Sequence, residues 1–113
     1  MDPSAIDLHL LSEATDGDHE ELMGLVRMAR TDLGQQLAAL SDALRGADLT
    51  VIKNAAHKVK GSSAMIGALA LKDASLQIEA AAKAGNREPL AELGQKCSAA
   101  AQRVMSALDA CQV

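Results

Sequence analysis

Ala56-His57-Lys58-Val59-Lys60-Gly61-Ser62-Ser63-Ala64-Met65-Ile66-Gly67-Ala68 reads as a helix that turns one histidine to solvent. At 3.6 residues per turn, Ile52, Ala55, Val59, Ser62/Ser63 and Ile66 share one face, a narrow stripe of apolar and small residues suited to a bundle core. His57 points away from that stripe. Its neighbours one and two turns away are Lys53, Asn54, Lys60, Gly61 and Ala64, so short side chains and lysines ring the imidazole.

Gly61 is an expensive choice there, since glycine inside a helix costs about 1 kcal/mol relative to alanine. One turn from His57, the missing side chain lets a second folded surface come close to the ring. Lys60 puts positive charge where an anion attached to the imidazole would sit. A neutral imidazole is a nucleophile, and an exposed one is ready for attack near neutral pH. A histidine on a helix is by itself usually structural or merely solvated. What singles out His57 is lysine three residues on, glycine four on, serine five on and Gly67-Ala68 beyond. Lys53 and Lys58 read as ordinary solvated charges, with Lys53 and Asn54 on the rim of the site.

Outward from this stretch, the same periodicity continues in both directions. Thr15-Asp16-Gly17-Asp18 is a turn, with Asp18 as N-cap and Glu20 and Glu21 in the first turn of a long helix, where negative charge suits the dipole. Leu22, Leu25/Val26, Ala29, Leu33, Gln36/Leu37, Leu40 and Leu44 repeat at three and four until Arg45-Gly46. Asp48 or Thr50 caps the helix that bears His57. Gly67 separates it from another, over 69–84, with Leu71, Ala74, Ile78 and Ala81/Ala82 inward. Glu88-Pro89 opens the last, whose stripe is Leu90, Leu93, Cys97, Ala100/Ala101, Val104, Leu108 and Cys111. A short helix starting at Ser4 or Asp7 precedes them, with Ile6, Leu10 and Ala14 on one side and Leu8 and Leu11 on another.

Four amphipathic helices at 18–45, 48–66, 69–84 and 88–110, joined by short loops, predict an all-α, up-down-up-down antiparallel bundle with an extra N-terminal helix. One domain over residues 1–113 is expected. The net charge of −4, the pI near 5.2 and the absence of Phe, Tyr and Trp argue against nucleic acid, which calls for a basic patch or a stacking platform. No apolar run approaches the ~20 residues needed to span a bilayer, and the first residues lack a basic n-region. A cytoplasmic monomer is therefore expected. Cys97 and Cys111 lie about 20 Å apart on one helix at 1.5 Å per residue, too far to pair, and read as core residues ahead of metal or redox ligands. His9 reads as a solvated or capping residue. His19 has no second ligand four residues away and is not read as a metal site.

The spacing His57-x-x-Lys60-Gly61-Ser62-Ser63 with Gly67-Ala68 resembles the phosphorylation motif of the histidine-containing phosphotransfer (HPt) domains of phosphorelays. Leu71, Leu76 and Glu79 resemble that family's leucine-rich helix with a glutamate, and Ile6-Asp7-Leu8 with Gly17-Asp18 resembles its acidic opening. Val59 stands where leucine is common, and Val26, Met28 and Ala29 where the family often has phenylalanine. The resemblance implies that His57 accepts a phosphoryl group from a receiver-domain aspartyl phosphate and passes it to another receiver aspartate. It further implies that Lys60 is the phosphate-side cation, and that Asn54, Gly61, Ala64, Lys53, Leu8 and Leu11 meet the partner. For Leu8 and Leu11, plain burial is the competing reading.

The chain offers no phosphate-cradling loop and no carboxylate cluster. It is thus expected to hold no cofactor of its own and to be a carrier instead of an enzyme, with Mg²⁺ and its carboxylates supplied by the partner receiver. The expected partners are response-regulator receiver domains or a hybrid histidine kinase. Two alternatives stand beside this. One is a helical adaptor that binds a receiver or kinase without being phosphorylated; the other is an HPt unit phosphorylated directly by a chemotaxis-type kinase. Length and the initiator methionine lean towards a free-standing protein, with an excised domain as the other possibility.

Overall fold

The computed structural model describes residues 5–111. Five helices follow one another: α1 (Leu8–Ala14), α2 (His19–Arg45), α3 (Leu49–Met65), α4 (Leu69–Lys83) and α5 (Leu90–Ala110). Among the described residues there is no strand. The all-α bundle is thus as expected, with ends within two residues of those read from periodicity. Ser4, one of two starts considered for α1, lies outside the described residues.

Aspartates begin three of the helices. Asp7 accepts from Leu10 N–H at 3.2 Å, Asp18 from Glu21 N–H at 3.1 Å, and Asp48 from Thr50 and Val51 N–H at 2.9 and 3.3 Å, each satisfying donors that a helix start leaves unpaired. α3 and α4 end in the same way. After α3, Gly67 adopts φ +67°, and the Gly67 and Ala68 N–H groups return to the Ala64 and Ser63 carbonyls. After α4, Gly85 adopts φ +74°, and the Gly85 and Asn86 N–H groups return to Ala82 and Ala81. Both are Schellman closures, which favour glycine at the left-handed position. Gly46 behaves differently: α2 ends there in extended backbone, with φ −93°, so its glycine freedom is not used.

Val26, Leu33 and Leu40 of α2 form the central row of the core, against Ile52, Ala56 and Val59 of α3, Leu71 and Ile78 of α4, and Cys97, Val104 and Leu108 of α5. The inward face of α3 is rotated slightly from expectation, because α3 is sandwiched between α2 and α4. Ala56 is wholly buried while Ala55 is only partly so, and Ser63 takes the core position while Ser62 lies at the edge. Ser63 and Ser75 are buried without penalty, each hydroxyl donating to the carbonyl four residues back, Val59 and Leu71. Their small size, with that of Ala56 and Ala74, lets α3 and α4 approach closely.

α1 departs most from its periodic reading. Ile6 and Leu11 are buried, whereas Leu8, Leu10 and Ala14 face solvent. Leu11, a docking candidate for which plain burial was the competing reading, is buried and also lines the groove between α1, α2 and α3, held inward because the Asp7 N–H donates to the Ile66 carbonyl at 2.8 Å and fixes where α1 begins. Gly67 makes that junction possible, since a Cβ there would overlap Asp7 Cβ.

Candidate functional site

α3 presents His57 from the middle of a rigid helix, with 66% of its side chain exposed. Gly61 and Ala64 lie along the same outward line and are exposed, and nothing stands within 4 Å of where a Gly61 Cβ would be. Asn54 is exposed, Lys53 half-buried and Lys58 exposed. The clearance expected around the imidazole is present.

A carboxylate from the neighbouring helix completes the site. Glu79 of α4, 17% exposed, places Oε2 2.6 Å from His57 Nδ1 and Oε1 2.8 Å from Lys60 Nζ. Lys60, 25% exposed, is therefore not a free cation awaiting phosphate; it is already paired. The hydrogen bond from Lys60, helped by that from His57, holds the Glu79 carboxyl below the usual carboxylate range despite its partial burial. An ionised carboxylate only accepts hydrogen bonds, so Nδ1 must be the donor. In the neutral ring this leaves the lone pair on Nε2, which points away from α4. The arrangement makes Nε2 a positioned nucleophile and gives a counter-charge to any positive charge developing on the ring.

The resemblance had marked Glu79 as part of a helix pattern, without a role. A signal was there: it is the one carboxylate in the second half of α4, followed by Ala80-Ala81-Ala82 and preceded by buried Ile78, where a surface acid has little reason to be.

Two features flank His57 on opposite sides. Towards α4 lie Lys53, Lys60 and Glu79. Towards α2, Ser62 donates to Gln36 Oε1 at 2.6 Å, and beyond it opens an apolar groove of about 500 Å³ between α1, α2 and the end of α3. Leu10, Leu25, Met28 and Met65 are among its walls. Leu8, the remaining docking leucine, is exposed on α1 but is not among the residues that line this groove; Leu10 is. A second crease of about 360 Å³, between α2 and α5, draws no residue from α3 or α4. The one thiol there, on Cys97, is pushed up to about 11 by burial and is a poor nucleophile.

Among the described residues no group of three His, Cys, Asp or Glu side chains could hold a metal ion, and no helix is long and apolar enough to cross a membrane. A family model described as Hpt domain matches residues 24–110, a span that includes His57, Lys60, Gly61 and Glu79 and leaves out α1. No curated protein and no solved structure matches the chain.

Proposed function

We propose that this chain, which belongs to the Hpt domain family, is a phosphorelay carrier whose His57 takes a phosphoryl group from a receiver-domain aspartyl phosphate and gives it to the aspartate of another receiver. The observation that carries the reading is the His57–Glu79–Lys60 triad on the exposed face of α3. Nε2 attacks phosphorus in line, the bond between phosphorus and the donor's carboxylate oxygen breaks, and the electron pair leaves with that carboxylate. The Nδ1 proton stays where it is. The ring becomes cationic as the N–P bond forms, and Glu79 stands against that charge. An ammonium has three N–H donors, so Lys60 can keep Glu79 and still offer a donor to a phosphoryl oxygen. Return transfer to an acceptor aspartate follows the same path backwards.

Among the described residues no carboxylate cluster could hold a metal ion, and Mg²⁺ and its carboxylates are assigned to the receiver. Gly61 and Ala64 admit the receiver's active-site loops, with Asn54 and Lys53 at the rim, and Leu8 and the groove by Met28 and Met65 extending the contact. α3 carries Lys53, Lys58 and Lys60 and no acid, in a chain of net charge −4, which suits an acidic partner surface. Cys97 and Cys111 are both free thiols, in keeping with a reducing cytoplasm.

The test is phosphoryl transfer, with Mg²⁺, from phosphorylated receiver domains to the native protein and to His57→Gln. Acid-labile, alkali-stable label on the native protein alone is the expected result. Binding without label by several receivers and a kinase would instead make the protein a docking adaptor.

A further inference from the structure

The chain has no aromatic residue, and its apolar groove beside the nucleophile is walled partly by methionine. Four methionines lie among the described residues. Met23 and Met105 are half-buried against the core, whereas Met28 is 58% and Met65 74% exposed, and both of these line that groove. Met65 follows His57 by eight residues on α3, which places it about 80° around the helix from His57, towards α2, and about 12 Å along it. A receiver large enough to bring an aspartyl phosphate to Nε2 covers several hundred Å² of this protein, and the groove is contiguous with the place it must occupy.

We infer that Met28 and Met65 are an oxidation site, where a hydroperoxide converts both thioethers to sulfoxides and thereby closes the carrier to its receiver. The inference rests on the carrier reading above. In each reaction a sulfur lone pair attacks the distal peroxide oxygen and the O–O bond breaks. Sulfur is oxidised by two electrons, the peroxide is reduced to water or an alcohol, and no other co-reactant is needed. The product exchanges a flexible apolar side chain for a polar S=O that must be desolvated when the groove is covered.

Competing thiols are poorly placed. Cys97 is buried and Cys111 half-buried, and burial raises both thiols, so little thiolate is present. Thioether oxidation needs no deprotonation. The chemistry of His57 is untouched, since its triad faces α4 and the groove lies on the α2 side.

The test treats the purified protein with hydrogen peroxide, removes the oxidant, and then measures transfer from a phosphorylated receiver. Labelling of His57 by phosphoramidate, a small donor that needs no docking surface, is measured in parallel. Mass mapping should find one added oxygen each on Met28 and Met65 before Met23 or Met105. Receiver transfer should fall about tenfold or more, while phosphoramidate labelling holds. Methionine sulfoxide reductase should restore the rate. In Met28→Leu/Met65→Leu, whatever its own rate, the ratio of treated to untreated transfer should stay near one. Undiminished transfer by the doubly oxidised protein would overturn the inference, as would an equal loss in the leucine variant, a parallel loss of phosphoramidate labelling, or earlier oxidation of Met23 or Met105. An untreated protein that takes no phosphoryl group from any receiver would instead overturn the carrier reading itself.

Discussion

Glu79→Gln removes one charge and almost no volume from the site, so it isolates what the carboxylate does. Lys60 remains charged and must find an acceptor, and the only acceptor on the new side chain is its carbonyl oxygen. That turns the amide NH₂ towards His57, 2.6 Å away in the native geometry, where it can only donate to Nδ1. The ring is thereby driven to the tautomer with its proton on Nε2, the nitrogen that must attack. The counter-charge to the developing imidazolium is lost as well. Hydrogen bonds to charged groups contribute about 1.5–3 kcal/mol, which is about ten- to a hundredfold in rate.

Rapid-quench measurement of transfer from a phosphorylated receiver should show that loss. Nitrogen NMR of the imidazole should show the tautomer change. Stability should drop by only about 1 kcal/mol, because the pair lies at the edge of the core. The pH dependence has a defined sign. A carboxyl held below its ordinary 4.5 stabilises the native fold fully above that value and loses the contribution as pH falls through its lower folded value. The contribution of the Glu79 carboxylate to the gap in stability between native protein and Glu79→Gln should therefore be present above 4.5 and be lost under acid as pH falls below it. A folded Glu79→Gln variant that transfers at the native rate would refute the orientation argument.

Gly61→Gln should fold with equal or higher helix stability, by up to about 1 kcal/mol in denaturant titration, yet slow receiver transfer, because nothing in this protein fills the space at that position and, on the carrier reading, a partner must enter it. Gly67→Ala should cost about 1–2 kcal/mol for the left-handed backbone alone and more for the overlap with Asp7, and hydrogen exchange should find α1 loosened first. Cys97, pushed up to about 11 from 9.0, should resist a thiol reagent at pH 8 in the native state and react promptly in denaturant. Its contribution to stability should be intact below pH 9 and lost as pH rises through about 11.

The helices were legible because their signals are local. Asp18 and Asp48 as caps, Gly67 as a stop, and leucines at three and four depend on residues within a turn or two. His57, Lys60 and Gly61 were legible for the same reason, being one turn apart on α3. Glu79 was not, since its role arises from α3 packing against α4, which places residues 22 apart in sequence within 2.6 Å. α1 misled for a related reason. A seven-residue helix shows barely two turns of periodicity, and its orientation is set by the hydrogen bond from Asp7 to Ile66, which no spacing within α1 encodes. The groove by Met28 and Met65 is likewise a product of three helices meeting, with no motif in any one of them.

On the carrier reading, the same geometry dictates how donor and acceptor share this protein. Nδ1 is closed off by Glu79 and α4, so a single nitrogen is open, and it is reached from one direction only. The receiver that gives the phosphoryl group and the one that takes it must occupy the same face, by turns, and no ternary complex can form around His57. Exchange then proceeds by dissociation of one receiver before the other binds. An interface suited to that is small and quickly released, in the range of transient contacts and not of permanent ones. A lysine-bearing helix beside a methionine-lined groove has this character. Charge speeds encounter without holding the complex, and flexible thioethers repack against surfaces that differ in detail. A bundle whose leucines and isoleucines are spent inside, with a shallow adaptable face around one rigidly oriented nitrogen, can serve two different receivers without being shaped for either.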